Sequence, residues 1–216
     1  MPETLLRFVV LVLPVALVPF LMAGPPHEPS TSKLGNLLRA VTAGLLSIVL
    51  ALALLELRRR AFPSGFATTS RATHAVVVAL SEELSKLAAY LLVLRPRGGR
   101  VRQSLRSAAA VALVFAVIEN ALYFTVPVSL LWTRALVVPL VHAGCTVILV
   151  AAVLRLRSVG TKLPSSVLML GAVGLHALHN LLFSMSTAPI AVRLIPSLVA
   201  VAIAARLYYR SPSHSI

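Results

Sequence analysis

The chain carries six acidic residues, all glutamates, and three of them (Glu82, Glu83 and Glu119) stand in the middle of apolar runs. Lys86, Asn120, His142, His176, His179 and Asn180 occupy similar surroundings. An ionisable side chain at the centre of a bilayer costs at least about 2.5–3.5 kcal/mol, so such residues must face a protein interior, pair with one another or bind a cation. Their spacing suits pairing: Lys86 lies three residues after Glu83 and four after Glu82, within reach of either on one helix. Glu82 and Glu83 are neighbours and point about 100° apart, so one of them faces a common centre at a time. His176 and Asn180 share a helix face, with His179 beside them.

Carboxylates and imidazoles converging in a dry layer suit two kinds of chemistry. A divalent metal such as Zn²⁺ takes His nitrogen and Glu oxygen and lowers the pKa of bound water to about 7. Alternatively, a glutamate activates water without a metal. Both hydrolyse amides, with Asn180 or a histidine available to an oxyanion. Other routes lack their parts. The sequence contains no His-Glu-x-x-His, no aspartate for an aspartyl dyad, and no Gly-x-Ser-x-Gly elbow. Cys145 is the only cysteine and reads as a small packing residue.

The elements that must position these groups are membrane helices. Hydrophobic residues make up 58% of the chain and charged residues 12%, with a mean hydropathy of +0.93; soluble domains average about 25% charged. Seven apolar stretches, about 8–23, 37–57, 73–94, 108–127, 134–154, 163–184 and 190–209, match the length needed to cross a bilayer. The expectation is an all-α, polytopic transmembrane bundle of about seven spans, one domain over 1–216, with a polar catalytic cavity inside the bilayer. The net charge of +14 is gathered in short clusters between apolar runs, Arg58–Arg60 and Arg95–Arg106 among them, which read as headgroup anchors rather than a nucleic-acid surface. With seven spans, the connection holding Arg95–Arg106 shares one side with Arg155, Arg157, Lys162 and Arg210, and that side is expected to be cytoplasmic.

Depth can be read from the basic anchors. Glu83 stands 12 residues before Arg95, Glu119 stands 13 after Arg106, His142 stands 13 before Arg155, and His176 stands 14 after Lys162. At about 1.5 Å per residue all four lie roughly 18–21 Å from one face. Four helices therefore place one polar residue each in a single layer.

At these residues the sequence resembles the PrsW family of intramembrane proteases. That family carries Glu-Glu-x-x-Lys, Phe-x-x-x-Glu-Asn, a lone His and His-x-x-x-Asn on successive helices. Here they read Glu82-Glu83-Leu84-Ser85-Lys86, Phe115-Ala116-Val117-Ile118-Glu119-Asn120, His142, and His176-Ala177-Leu178-His179-Asn180, within about residues 75–185. The chain is also similar to the CAAX prenyl endopeptidases, in which a His stands where Glu119 falls. The resemblance implies a metalloprotease of a prokaryotic inner membrane. It would cut a membrane-anchored protein substrate, as in site-one cleavage of an anti-sigma factor. Glu82, Glu83, Lys86, Glu119, Asn120, His142, His176 and Asn180 would be catalytic, and Glu83, Glu119, His142 and His176 would hold the metal. Two other classes remain open on the residues alone. Intramembrane Glu, Lys and His also mark ion- or proton-coupled transporters, and a catalytically inactive membrane scaffold would keep the helices without the reaction.

Overall fold

The computed structural model describes residues 30–62, 70–94, 101–123, 127–156, 164–185 and 188–211, with a few isolated positions before residue 30. Six long helices account for the continuous segments: α1 (Ser30–Ala61), α2 (Arg71–Val93), α3 (Val101–Leu122), α4 (Val128–Leu156), α5 (Ser165–Ser184) and α6 (Ile190–Arg210). Their boundaries follow local chemistry. Ser70 caps α2, its hydroxyl accepting from the Thr73 N–H at 3.2 Å. Pro164 and Pro189 precede α5 and α6, where a missing N–H costs nothing because the helix offers no acceptor for it. Ser47, Ser81 and Ser85 return their hydroxyls to carbonyls of their own helices, so they need no outside partner.

The fold is all-α as expected, but the span count differs. Among the described residues five helices are long and apolar enough to cross a membrane, namely all except α2, rather than seven. The stretch 8–23 lies outside the described residues apart from Pro14 and Val18. The stretch 73–94 does form a helix, but Glu82, Glu83 and Lys86 at its middle make it more charged there than the other five helices. The helices also overrun the apolar stretches. α3 begins at Val101 rather than near 108, because Arg102 and Arg106 are good helix formers whose heads find partners at the end of α6.

Those partners tie the bundle at one end. Arg102 Nε donates to the Ser211 carbonyl at 3.0 Å and Arg106 Nε to the Tyr208 hydroxyl at 2.8 Å. Elsewhere small residues set helix separation. A Cβ on Gly44 of α1 would lie 2.5 Å from the Val114 side chain of α3, and one on Gly144 of α4 would lie 2.7 Å from the Ala200 backbone of α6. Each glycine is thus a point of close approach.

α1, α2, α5, α4 and α3 follow one another around a ring, each packed on the next, and α6 lies against α4 and α5. The outside of the ring is apolar: Leu38, Leu45, Val49, Leu92, Leu170, Ile195 and Leu198 are exposed. The inside holds Glu83, Lys86, Asn120, His142, Thr146, His176 and His179, all buried. Polar residues within and aliphatic residues without are what a hydrocarbon solvent selects.

Candidate active site

Four helices send a stripe of residues toward the middle of the ring. On α4 the stripe is Leu130, Arg134, Val138 and His142, at strict four-residue intervals; on α2 it is Arg71, Ala75, Val78 and Glu82. α3 adds Glu119 and the turn just after it Tyr123, and α5 adds His179, Asn180, Phe183 and Ser184. These residues line a cavity of about 470 Å³. They come from the beginnings of α2 and α4 and the ends of α3 and α5. The cavity therefore opens at the end of the bundle opposite the α2–α3 connection.

Behind the cavity wall lies a continuous chain of polar contacts. Lys86 Nζ bonds Glu83 Oε1 on its own helix and reaches His142 Nδ1 of α4 at 2.7 Å. An ammonium has no acceptor, so Nδ1 accepts and the His142 proton sits on Nε2. Nε2 faces Glu119 Oε2 of α3 at 2.6 Å. The other oxygen of Glu119 accepts from Arg134 Nη2 at 2.8 Å. His176 of α5 places Nδ1 2.8 Å from Glu83 Oε1 and Nε2 3.3 Å from Glu82 Oε2. Thr146 donates to Glu83 Oε2 at 3.2 Å. The two imidazoles meet edge to face with centroids 4.7 Å apart, and Lys86 sits 4.7 Å above the Phe115 ring.

The neighbouring glutamates thus take different positions. Glu82 lines the cavity, and its Oε2 is buried without a hydrogen bond. Glu83 is fully buried behind it, its oxygens taken by Lys86, His176 and Thr146. Among the described residues, Glu82, His142 and His176 form a group whose ligand atoms all lie within 4.8 Å of one another. This group differs from the set expected from sequence, which had Glu83 and Glu119 beside the two histidines, because Glu83 is held from behind by three partners.

Donor chemistry fits a divalent metal. With Nδ1–H of His176 given to Glu83, its Nε2 lone pair faces the unpartnered Glu82 Oε2, and two acceptors in contact call for a proton or a cation between them. Among the described residues, Lys86 pairs with Glu83 and Arg134 with Glu119, which leaves the Glu82 carboxylate without a permanent cation of its own. A carboxylate behind a histidine is the usual support for a metal ligand.

The remaining expected residues divide. Asn180 lines the cavity. Asn120 does not; it is buried beside Glu119, and neither its amide nitrogen nor its oxygen has a hydrogen-bond partner. Four neighbours were not among the expected site residues: Arg134 and Tyr123 at the mouth, Thr146 behind Glu83, and Ser197 of α6, 3.3 Å from His179 Nδ1. Tyr123 carried a usable signal, four-residue spacing from Glu119, whereas Arg134 reads as an interface anchor and Thr146 and Ser197 are common residues in apolar helices.

A family model described as PrsW family intramembrane metalloprotease matches residues 32–207, from early α1 to late α6. The chain belongs to the PrsW family of intramembrane metalloproteases. No curated protein and no solved structure matches it. Every residue of the polar chain falls inside the matched region. As a PrsW protease the protein is an intramembrane endopeptidase, a hydrolase set in a multi-pass membrane protein. Membership in a family of hydrolases sets aside the transport and scaffold readings.

Proposed function

We propose that the chain hydrolyses a peptide bond of a membrane-anchored protein inside the cavity between α2, α3, α4 and α5. One observation carries this reading: the uninterrupted line of contacts from Lys86 through His142 to Glu119, and from Glu83 through His176 to Glu82, assembled from four helices. α2 crosses the bilayer with its neighbours, since its charged residues point into the ring. The cell envelope implied is a prokaryotic inner membrane, and the substrate class is a single-span regulator such as an anti-sigma factor.

Glu82 Oε2 and His176 Nε2 would hold the metal, and His142 would join them through Nδ1 once Lys86 releases that lone pair, its Nε2–H staying on Glu119. When bound, the metal supplies Lewis-acid polarisation of the carbonyl and a more acidic water. Zinc suits a set of two nitrogens and an oxygen. The chain's own groups do the rest. Glu83 fixes the His176 imidazole in place, and Lys86 holds that of His142 until the metal takes its lone pair. Glu119, gripped by Arg134 at Oε1, accepts the proton of the attacking water at Oε2 and returns it to the leaving amine. Asn180, on the cavity wall, donates to the developing oxyanion. The apolar wall of Ala75, Val78, Leu130 and Val138 receives the substrate backbone and excludes bulk water.

The test uses the full-length protein in liposomes with a single-span reporter. Glu119→Gln and His176→Ala should each lower turnover by about 10²-fold or more while the protein stays inserted and monodisperse, because each removes a role of that size. A chelator should abolish cleavage, and Zn²⁺ should restore it. Near wild-type cleavage by both variants would sink the mechanism.

A further inference from the structure

We propose that Arg134 is a positioning residue for the cleavage reaction, locking the Glu119 carboxylate so that one oxygen is spent and the other faces the reaction centre. The inference rests on the role given to Glu119 above. By residue type and place, an arginine near the start of a membrane helix reads as a headgroup anchor whose long side chain snorkels to the interface. Arg134 does the opposite. Its side chain is only 12% exposed and turns into the ring, with Nη2 on Glu119 Oε1 at 2.8 Å. Its guanidinium lies 3.7 Å above the centroid of Tyr123, a stack as close as van der Waals contact allows. Its Nε is buried without a hydrogen bond. A guanidinium withdrawn from water and left with a spare donor is held there by the carboxylate and the ring together.

The geometry explains why Glu119 needs such a partner. Its Oε2 meets His142, and a carboxylate held by one oxygen alone can swing about its own axis. A second anchor on Oε1 removes that freedom. Tyr123 stands four residues after Glu119, in the turn that closes α3, so one side of that helix end carries both the carboxylate and the ring that steadies its clamp. Arg134 in turn stands eight residues before His142 on α4, on the same cavity-lining stripe. Two helices are thereby pinned to each other at the mouth through the group that handles the proton.

The experiment measures kcat and KM per folded molecule for wild type, Arg134→Gln, Arg134→Lys, Tyr123→Leu and Glu119→Gln on the liposome reporter. In parallel, Co²⁺ added alone to the metal-free proteins reports ligand geometry through its visible spectrum. Arg134→Gln should lower kcat about tenfold or more with KM changed less than about threefold, since it alters transition-state rather than ground-state binding. It should also alter the cobalt spectrum. Arg134→Lys should recover part of kcat by restoring charge without the planar stack. Tyr123→Leu should lower kcat about three- to tenfold, the worth of a partly exposed cation–π contact. Wild-type kcat in Arg134→Gln beside an inactive Glu119→Gln would overturn this proposal alone; retained activity in Glu119→Gln would overturn both it and the mechanism. Should the Arg134 variants fail to fold, Tyr123→Leu decides in their place: an unchanged kcat overturns the clamp, and a lowered one with unchanged KM upholds it.

Discussion

Lys86 shows how much one side chain can be asked to do. It joins Glu83 on its own helix to His142 on another, and it is fully buried. Lys86→Met should therefore leave Glu83 charged in the interior with hydrogen bonds from His176 and Thr146 but no counter-ion, costing about 3–5 kcal/mol. Adding Glu83→Gln should return a large part of that loss, because it removes the stranded charge. Unfolding in detergent measures the cycle, and a double variant no more stable than the single one would contradict it. Glu83, Lys86, Glu119, His142 and His176 were legible in the sequence because charge in an apolar run has few explanations and their depths agree. The choice between Glu82 and Glu83 was not legible, since adjacent residues differ only in which way the assembled ring turns them. Arg134 was hidden for a different reason: an arginine close to a helix start has a cheap explanation at the interface, and only the distance to Glu119 displaces it.

At the scale of helices, hydropathy located every described element but misjudged their ends. Apolar runs mark where lipid lies, whereas a helix continues through any good helix former, as α3 does through Arg102 and Arg106. How near two helices approach is decided by residues with no hydropathy signature at all. Gly144 and Gly171 show the contrast. An added Cβ on Gly144 meets the Ala200 backbone at 2.7 Å, whereas one on Gly171 meets nothing within 4 Å. Gly144→Ala should cost about 1–3 kcal/mol through forced separation of α4 and α6. Gly171→Ala should be neutral or stabilising by up to about 1 kcal/mol, because it only restricts the unfolded chain. Thermal melts of the two variants check this, and equal melting temperatures would show that the approach of α4 to α6 is soft.

For the whole molecule, the direction in which the cavity opens matters most. It opens opposite the α2–α3 connection, which carries Arg95, Arg97 and Arg100. If that connection is cytoplasmic, as its charge argues, the enzyme works from the outer side of the membrane. Single cysteines placed at Arg100 and Ser129, in a Cys145→Ala background, report it with an impermeant thiol reagent on intact cells. The 129 site should label and the 100 site should not; the reverse pattern would invert the protein. The pairing of Lys86 with Glu83 also bears on how the protein is made. The two residues are three apart on one helix, so their bond is available while α2 is alone at the translocon, before His142 and His176 have been synthesised. The insertion machinery then meets a segment with one surplus charge instead of three separate ones. Exchanging Lys86 with Ala88 keeps the composition and breaks the spacing. In a glycosylation-reporter assay, an isolated α2 segment carrying that exchange should insert less often than the natural one. Equal insertion would mean that the pair forms only after the bundle has closed.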